Sequence, residues 1–170
     1  MTIRCRVLGI GLAALACANC GRAAPSAAPS TAAPLAISDD GDRAGVIAAV
    51  ESLFSAMRQR DTVVLRRLVL PDAQIVSIDE RRGAQAARTS TGAAFIKAIA
   101  TAADTPNERM WSPEVRLSAN LATLWAPYEF HRGPTFSHCG HDAFHLIRQA
   151  GEWHFLAVSY TVRVGPECKR

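Results

Sequence analysis

After Pro106 the hydrophobic period of this chain changes from about 3.6 to 2, and that change limits the folds open to it. Between Asp42 and Arg60 the residues Val46, Ile47, Val50, Leu53, Phe54 and Met57 recur at helical spacing and make one apolar stripe. Ser38, Asp39 or Asp40 can cap the start of that helix. Asp61 can cap a second, shorter helix carrying Val64, Leu65 and Leu68, which Pro71 would end. Ala73 to Ile78 reads as a strand, and Thr89, Ser90 or Thr91 opens a third helix with Phe95, Ile96, Ile99, Ala100 and Ala103 on one face. Beyond Pro106 the period falls to two. Arg109–Ser118, Leu121–Arg132, Ser137–Arg148 and Trp153–Val164 read as strands, separated by Ser-Ala-Asn, Gly-Pro-Thr and Ala-Gly turn signals. Three helices followed by a meander of long strands predict an α+β fold, a curved antiparallel sheet wrapped around helices.

The first 37 residues stand apart from this pattern. Arg4 and Arg6 precede an uninterrupted apolar run from Val7 to Ala18. The run is too short to span a bilayer and has the form of a signal-peptide core. Residues 1–20 are therefore expected to be a leader, and Ala14-Leu15-Ala16-Cys17 resembles a lipobox, with Cys17 as the lipidated residue. Cleavage after Ala16-Cys17-Ala18, giving a freely soluble exported protein, is the competing reading. Residues 21–37, almost all Ala, Pro and Ser as far as Pro34, have too little to bury and read as a linker. The folded domain is then 38–168, enough chain for one core. The expected location is the periplasm or the outer membrane, with membrane attachment only through the N-terminal lipid anchor.

Charge excludes one class of partner. The chain has 19 Lys+Arg against 15 Asp+Glu, but Arg4, Arg6 and Arg22 precede residue 35 with no acid among them, leaving 16 cations against 15 acids. A domain so near neutrality, with no basic stripe interleaved with aromatics, is not expected to bind nucleic acid. Of five cysteines, only Cys139 and Cys168 belong to the domain. An oxidising compartment and an even count predict a bridge between them, contributing roughly 3–4 kcal/mol by closing a loop of about 30 residues. Two free thiols are the alternative.

The segments "RDTVVLRRLVLPDAQIV", "ANLATLWAPYEFH" and "SHCGHDAFHLIRQAGEWHFLAVSYTV", with the first-helix stripe before them, resemble the nuclear transport factor 2-like superfamily. This cone-shaped α+β fold includes SnoaL-like polyketide cyclases and ketosteroid isomerases. The resemblance covers residues 42 to 165, with one departure: Glu152 stands between the Gly151 and Trp153 that open the last strand. It implies three helices packed in a curved sheet, and it does not choose among enzymes, ligand carriers and assembly modules.

Strand alternation selects the residues that can line the cone. If Phe144 and Leu146 face the helices, Tyr128, Phe130, His138 and Asp142 face them too, and His131, His141 and His145 face outward. Ser159 is expected roughly opposite Asp142 on the last strand. Asp142, desolvated in an apolar cone, would be a base, and Tyr128 or His138 a donor to a developing oxyanion. The bland alternative has Asp142 bonded to Ser159 or a backbone amide and His138 at the wet mouth. The run His138-x-x-His141-Asp142-x-x-His145 suggests a metal, but on a strand His141 and His145 lie about 13 Å apart, so no metal is expected; with no cofactor fingerprint in the sequence, no cofactor is expected either.

Three function classes remain. The first is an exported domain binding a small apolar ligand. The second is a SnoaL-like enzyme doing general acid–base chemistry of isomerase, cyclase or dehydratase type; the ketosteroid-isomerase pattern itself lacks its first-helix Tyr here. The third is a structural dimerisation module. On the last strand Leu156, Val158, Tyr160 and Val162 are expected to face outward with Trp125 and Ile147, against Phe155, Ala157 and Ser159 inward. A sheet apolar on both faces needs cover on both, which predicts a homodimer through the outer face.

Overall fold

In a computed structural model, residues 39–81 and 86–168 are described. The signal-peptide, lipidation and linker expectations lie outside them. Helix α1 spans Asp39–Gln59 and buries Val46, Val50, Leu53, Phe54 and Met57, the stripe that its spacing requires. Asp61 caps α2 (Thr62–Leu68), accepting from the amides of Val63 and Val64 at 3.0 Å each. Thr91 caps α3 (Gly92–Ala100), which buries Ile96 and Ile99. Ala103 lies past its end.

Seven strands follow or intervene: β1 (Val69–Asp79), β2 (Ala86–Thr91), β3 (Pro106–Met110), β4 (Glu114–Ser118), β5 (Leu121–Arg132), β6 (Thr135–Gln149) and β7 (Glu152–Val162). They form one sheet of order β2-β1-β7-β6-β5-β3, with β4 also paired to β5. The sheet is mixed rather than wholly antiparallel, because β1 runs parallel to β7. This corrects the expected meander: β1 pairs with a strand some 80 residues away in sequence, a partner no local pattern announces. Strand β2, which pairs with β1, was not expected, because Ala-Ala-Arg-Thr-Ser-Thr shows no apolar alternation.

Three boundaries differ for local reasons. Pro71 does not end α2; the helix stops at Leu68, and Pro71 lies in β1, where the β1–β7 register shifts between Val69 and Gln74. A residue with no N–H is tolerated at such an irregularity. The expected strand Arg109–Ser118 is two strands, broken around Ser112 with its φ of 45°. The last strand ends at Val162, not Val164.

The most consequential difference is a bulge in β7. Leu146 pairs with Phe155, but His145 pairs with Ala157, so Leu156 is an extra residue with no partner. An inserted residue reverses which side every later residue faces. Phe155 faces the helices as expected, but so do Val158 and Tyr160, opposite Phe144 and Asp142. Ser159 pairs with Ala143 and goes to the other face. The expected orientations of Ala157, Val158, Ser159, Tyr160 and Val162 are therefore reversed.

The core lies between the helices and the inner face of the sheet, with Phe144 edge-on to both Phe54 and Phe155. The Cys139–Cys168 bridge is present, with the two Cα atoms 5.6 Å apart. It ties the short 3-10 turn Pro166–Cys168 to β6 beside the Cys139–Arg163 backbone pair.

Candidate functional site

The helices do not close off the inner face of the sheet. A cavity of about 500 Å³ remains between them and the sheet. Its apolar wall comes from Leu53, Phe54 and Met57 of α1, Phe95 and Ile99 of α3, and Phe130, Phe144 and Val158 of the sheet. Its polar groups are Glu108, Tyr128, His138, Asp142 and Tyr160, with Arg132 and Asp104 also in its lining.

Cross-strand register explains how these groups converge. Glu108 on β3 pairs with Phe130 on β5, which pairs with His138 on β6. Two residues along, Met110, Tyr128 and Gly140 form the next row. Ala126, Asp142 and Tyr160 form the third. All three rows face inward, because side chains two apart share a face. Gly140, lacking a side chain in the middle row, leaves room there for Thr161: a Cβ at position 140 would sit 2.0 Å from the Thr161 carbonyl oxygen. That carbonyl accepts the Tyr128 hydroxyl at 2.8 Å, and Thr161 Oγ1 accepts the His141 amide at 3.0 Å.

Glu108 and Asp142 meet in the cavity. Asp142 is 2% exposed, the one acidic or basic residue that is fully buried among the described residues. Its Oδ2 has no hydrogen-bond partner among the described residues. Burial raises the Asp142 carboxyl well above the usual range, and the neighbouring Glu108 charge and hydrogen bond raise it further. Burial pushes Glu108 up to about 7, against the lowering effect of its hydrogen bond to Asp142. Two ionised carboxylates are both acceptors, so the bond between them exists only when one carries a proton. The pair therefore titrates as a unit.

The aromatic hydroxyls and the imidazole hold fixed protonation states around it. Burial, then the Asp142 and Glu108 charges, raise Tyr128 far above the tyrosine range. Tyr160 is raised by burial first, against a hydrogen bond to Ser77. Burial lowers His138 to about 4, assisted by the charges of Arg81 and Arg132, so the ring is neutral at physiological pH. His138 stacks on Phe130, centroids 5.0 Å apart, and its Nδ1 lies 3.0 Å from Ser137 Oγ.

Of the residues expected at the site, Tyr128, Phe130, His138 and Asp142 line this one cavity. Ser159 does not, because the β7 bulge turns it away, and Tyr160 stands opposite Asp142 instead. Asp142 therefore has no Ser159 partner. The Tyr128 proton is given to Thr161, so this hydroxyl is not a free oxyanion donor in this conformation. Glu108 was missed. Its strand, Pro-Asn-Glu-Arg-Met, is mostly polar, and only pairing with β5 reveals that Glu108 faces inward. Away from the cavity, His141 stacks on Trp125 at 5.1 Å and His131 meets Glu129 and Phe136.

No family model matches the sequence, and no curated protein matches it. Solved structures do. A nuclear transport factor 2-like protein of unknown function from Silicibacter pomeroyi superposes with a TM-score of 0.59 at 22% identity, covering 75% of this chain and all of that one. A nuclear transport factor 2-like protein from Cytophaga hutchinsonii gives 0.59 at 16% identity, over 71% of this chain and 97% of its own. A protein from Kribbella flavida gives 0.60 at 16% identity, over 74% and 93%. Likeness at such identities is a statement about architecture. The chain has the nuclear transport factor 2-like fold.

Proposed function

We propose that this domain binds a small, largely apolar molecule inside the cone. The observation that carries the reading is the cavity of about 500 Å³, walled by Phe, Leu and Ile side chains and holding a few convergent polar groups. That size and composition are those of small-molecule sites rather than of packing defects. The domain is read as exported, with Cys17 as its anchor; the Cys139–Cys168 bridge is compatible with an oxidising compartment. Calorimetric titration with naphthylethanol, a neutral apolar probe, tests the reading. Saturable one-to-one binding is expected, and Val158→Trp, which places an indole in the cavity, is expected to abolish it while leaving the circular dichroism unchanged. Absence of saturable binding by the parent protein, of this alcohol and of the matching amine alike, overturns it.

A second reading, acid–base catalysis, is favoured by Glu108 and Asp142. A carboxyl pair sharing one proton offers an acid and a base in one apolar site. Proton abstraction beside a carbonyl is the reaction such a pair suits, as in isomerisation, cyclisation or dehydration. Deuterium uptake at the α-carbon of β-tetralone, followed by NMR, is expected to be accelerated by the protein. Equal rates for the parent, Glu108→Gln and Asp142→Asn would remove the catalytic reading and leave the binding one.

A further inference from the structure

The inner polar end of the cavity has a donor deficit. Asp142 is almost wholly buried, and apart from the proton it shares with Glu108 its Oδ2 has no partner among the described residues. Glu108 beside it adds two more acceptor oxygens. Among the lining residues the one cationic side chain is Arg132, which is exposed. The Tyr128 hydroxyl gives its proton to Thr161. Around the carboxyls stand the rings of Tyr128, Phe130, Phe144 and Tyr160. The site thus combines excess acceptors, negative charge and aromatic faces.

We propose that the cavity takes a small apolar amine in its ammonium form, with the N–H groups on the Glu108 and Asp142 carboxyls and the hydrocarbon body against the rings. This rests on the binding reading above and names the chemical class of its ligand. An ammonium brings three donors and one positive charge, so it satisfies the orphaned oxygen and neutralises the pair at once. Ring faces attract the same cation, most strongly where water is excluded. A neutral alcohol brings one donor and no charge. A carboxylate ligand would meet the negative charge of the pair and is rejected.

The charge of the pair makes binding pH-dependent in a stated direction. Loading an ammonium requires the carboxyls to be ionised, so binding expels a proton from the pair, and affinity rises with pH through about 7, where burial has placed Glu108. The other groups facing the pair do not titrate in that range. Tyr128 on β5 and Tyr160 on β7 are raised by burial, and His138 on β6 is already neutral. Helices α1 and α3 contribute only apolar side chains to the lining. Asp104 and Arg132 complete the charged residues there.

The experiment is calorimetric titration of the full chain with three matched probes, naphthylethylamine, naphthylethanol and naphthylacetate, from about pH 5.5 to about pH 8 in buffers of differing ionisation heat. At the upper pH the amine is expected to bind about tenfold or more tightly than the alcohol, a difference of about 1.4 kcal/mol or more. The advantage should shrink at the lower pH, the amine should release a proton on binding, and naphthylacetate should not bind. Glu108→Gln, close in shape to the parent, should reduce amine affinity about tenfold and change alcohol affinity by less than about threefold. Asp142→Asn should do the same. Alcohol binding as tight as amine binding at the upper pH overturns the ammonium assignment and leaves the binding reading intact. Binding of neither probe overturns both. Undiminished amine affinity in correctly folded Glu108→Gln and Asp142→Asn places the amine elsewhere and overturns the assignment.

Discussion

Glu108, Asp142 and His138 make the stability of this domain a function of pH, and the signs differ. The folded state raises Glu108 to about 7 from an ordinary 4.5, and raises Asp142 as well. An acid raised in the folded state stabilises in its protonated form. Its contribution is full below the unfolded value and is lost as pH rises through the folded one. His138 is lowered to about 4 from 6.5, so its contribution is present above 6.5 and lost as pH falls through about 4. Between those limits two carboxyls oppose one imidazole, and the carboxyls win. Calorimetry should find the melting temperature falling from about pH 5.5 to about pH 8. Glu108→Gln should flatten that fall and raise stability at the upper pH by on the order of 2–3 kcal/mol, while changing little at the lower. A melting temperature that stays level across the range, or an equal fall in the variant, would show that Glu108 ionises as it does in water. The same side chains mark what the sequence reveals of the site. Tyr128, Phe130, His138 and Asp142 could be placed because each sits in a strand with apolar neighbours two residues away. Glu108 has only Pro106 and Met110 to announce its face.

Among the elements, β6 and β7 decide the shape of the site. The unpaired Leu156 lets Phe155 and Val158 both face the core. In sequence this is invisible, because Phe155, Ala157, Leu156, Val158 and Tyr160 are apolar or aromatic on both alternations. A pattern with two apolar faces carries no mark of where its phase slips. Further along, Gly140 and Thr161 hold the strands in an unusually close approach. Gly140→Ala would bring the new methyl carbon to 2.0 Å from the Thr161 oxygen, and the obstacle is backbone rather than a movable side-chain end. The strands must separate, disturbing the Tyr128–Thr161 bond and the Cys139–Arg163 pair nearby. Overpacking of this kind typically destabilises by about 1–3 kcal/mol. Urea titration should show a lowered midpoint of that size and weaker binding of naphthylethanol. A midpoint unchanged within about 0.5 kcal/mol would mean that the strands absorb the methyl without strain.

For the whole molecule, the order of helices and strands was enough to give the α+β class with helices on one side of a sheet, since a period change from 3.6 to 2 admits few layered arrangements; the nuclear transport factor 2-like fold came from the resemblance instead. The parallel β1–β7 pairing was beyond reach, because it joins distant segments with nothing local to specify their direction. The outer face of the sheet bears on assembly. Helices α1 and α3 pack on the inner side, leaving Trp125 48% exposed with His141 stacked on it and Leu156 also exposed. The dimer proposed through this face cannot be tested at Tyr160, which the alternation placed on it. Tyr160 belongs to the cavity, so replacing it would disturb the site rather than the interface. Trp125→Asp is the appropriate variant. A charge at the centre of a desolvated apolar contact has no partner there and opposes association by several kcal/mol, whereas on a solvated face it costs little. Light scattering should give twice the chain mass for the parent domain and the single mass for Trp125→Asp, with cavity binding of naphthylethanol retained in both. A monomeric parent would remove the dimer and leave Trp125 and His141 as a solvated stack on an open sheet face.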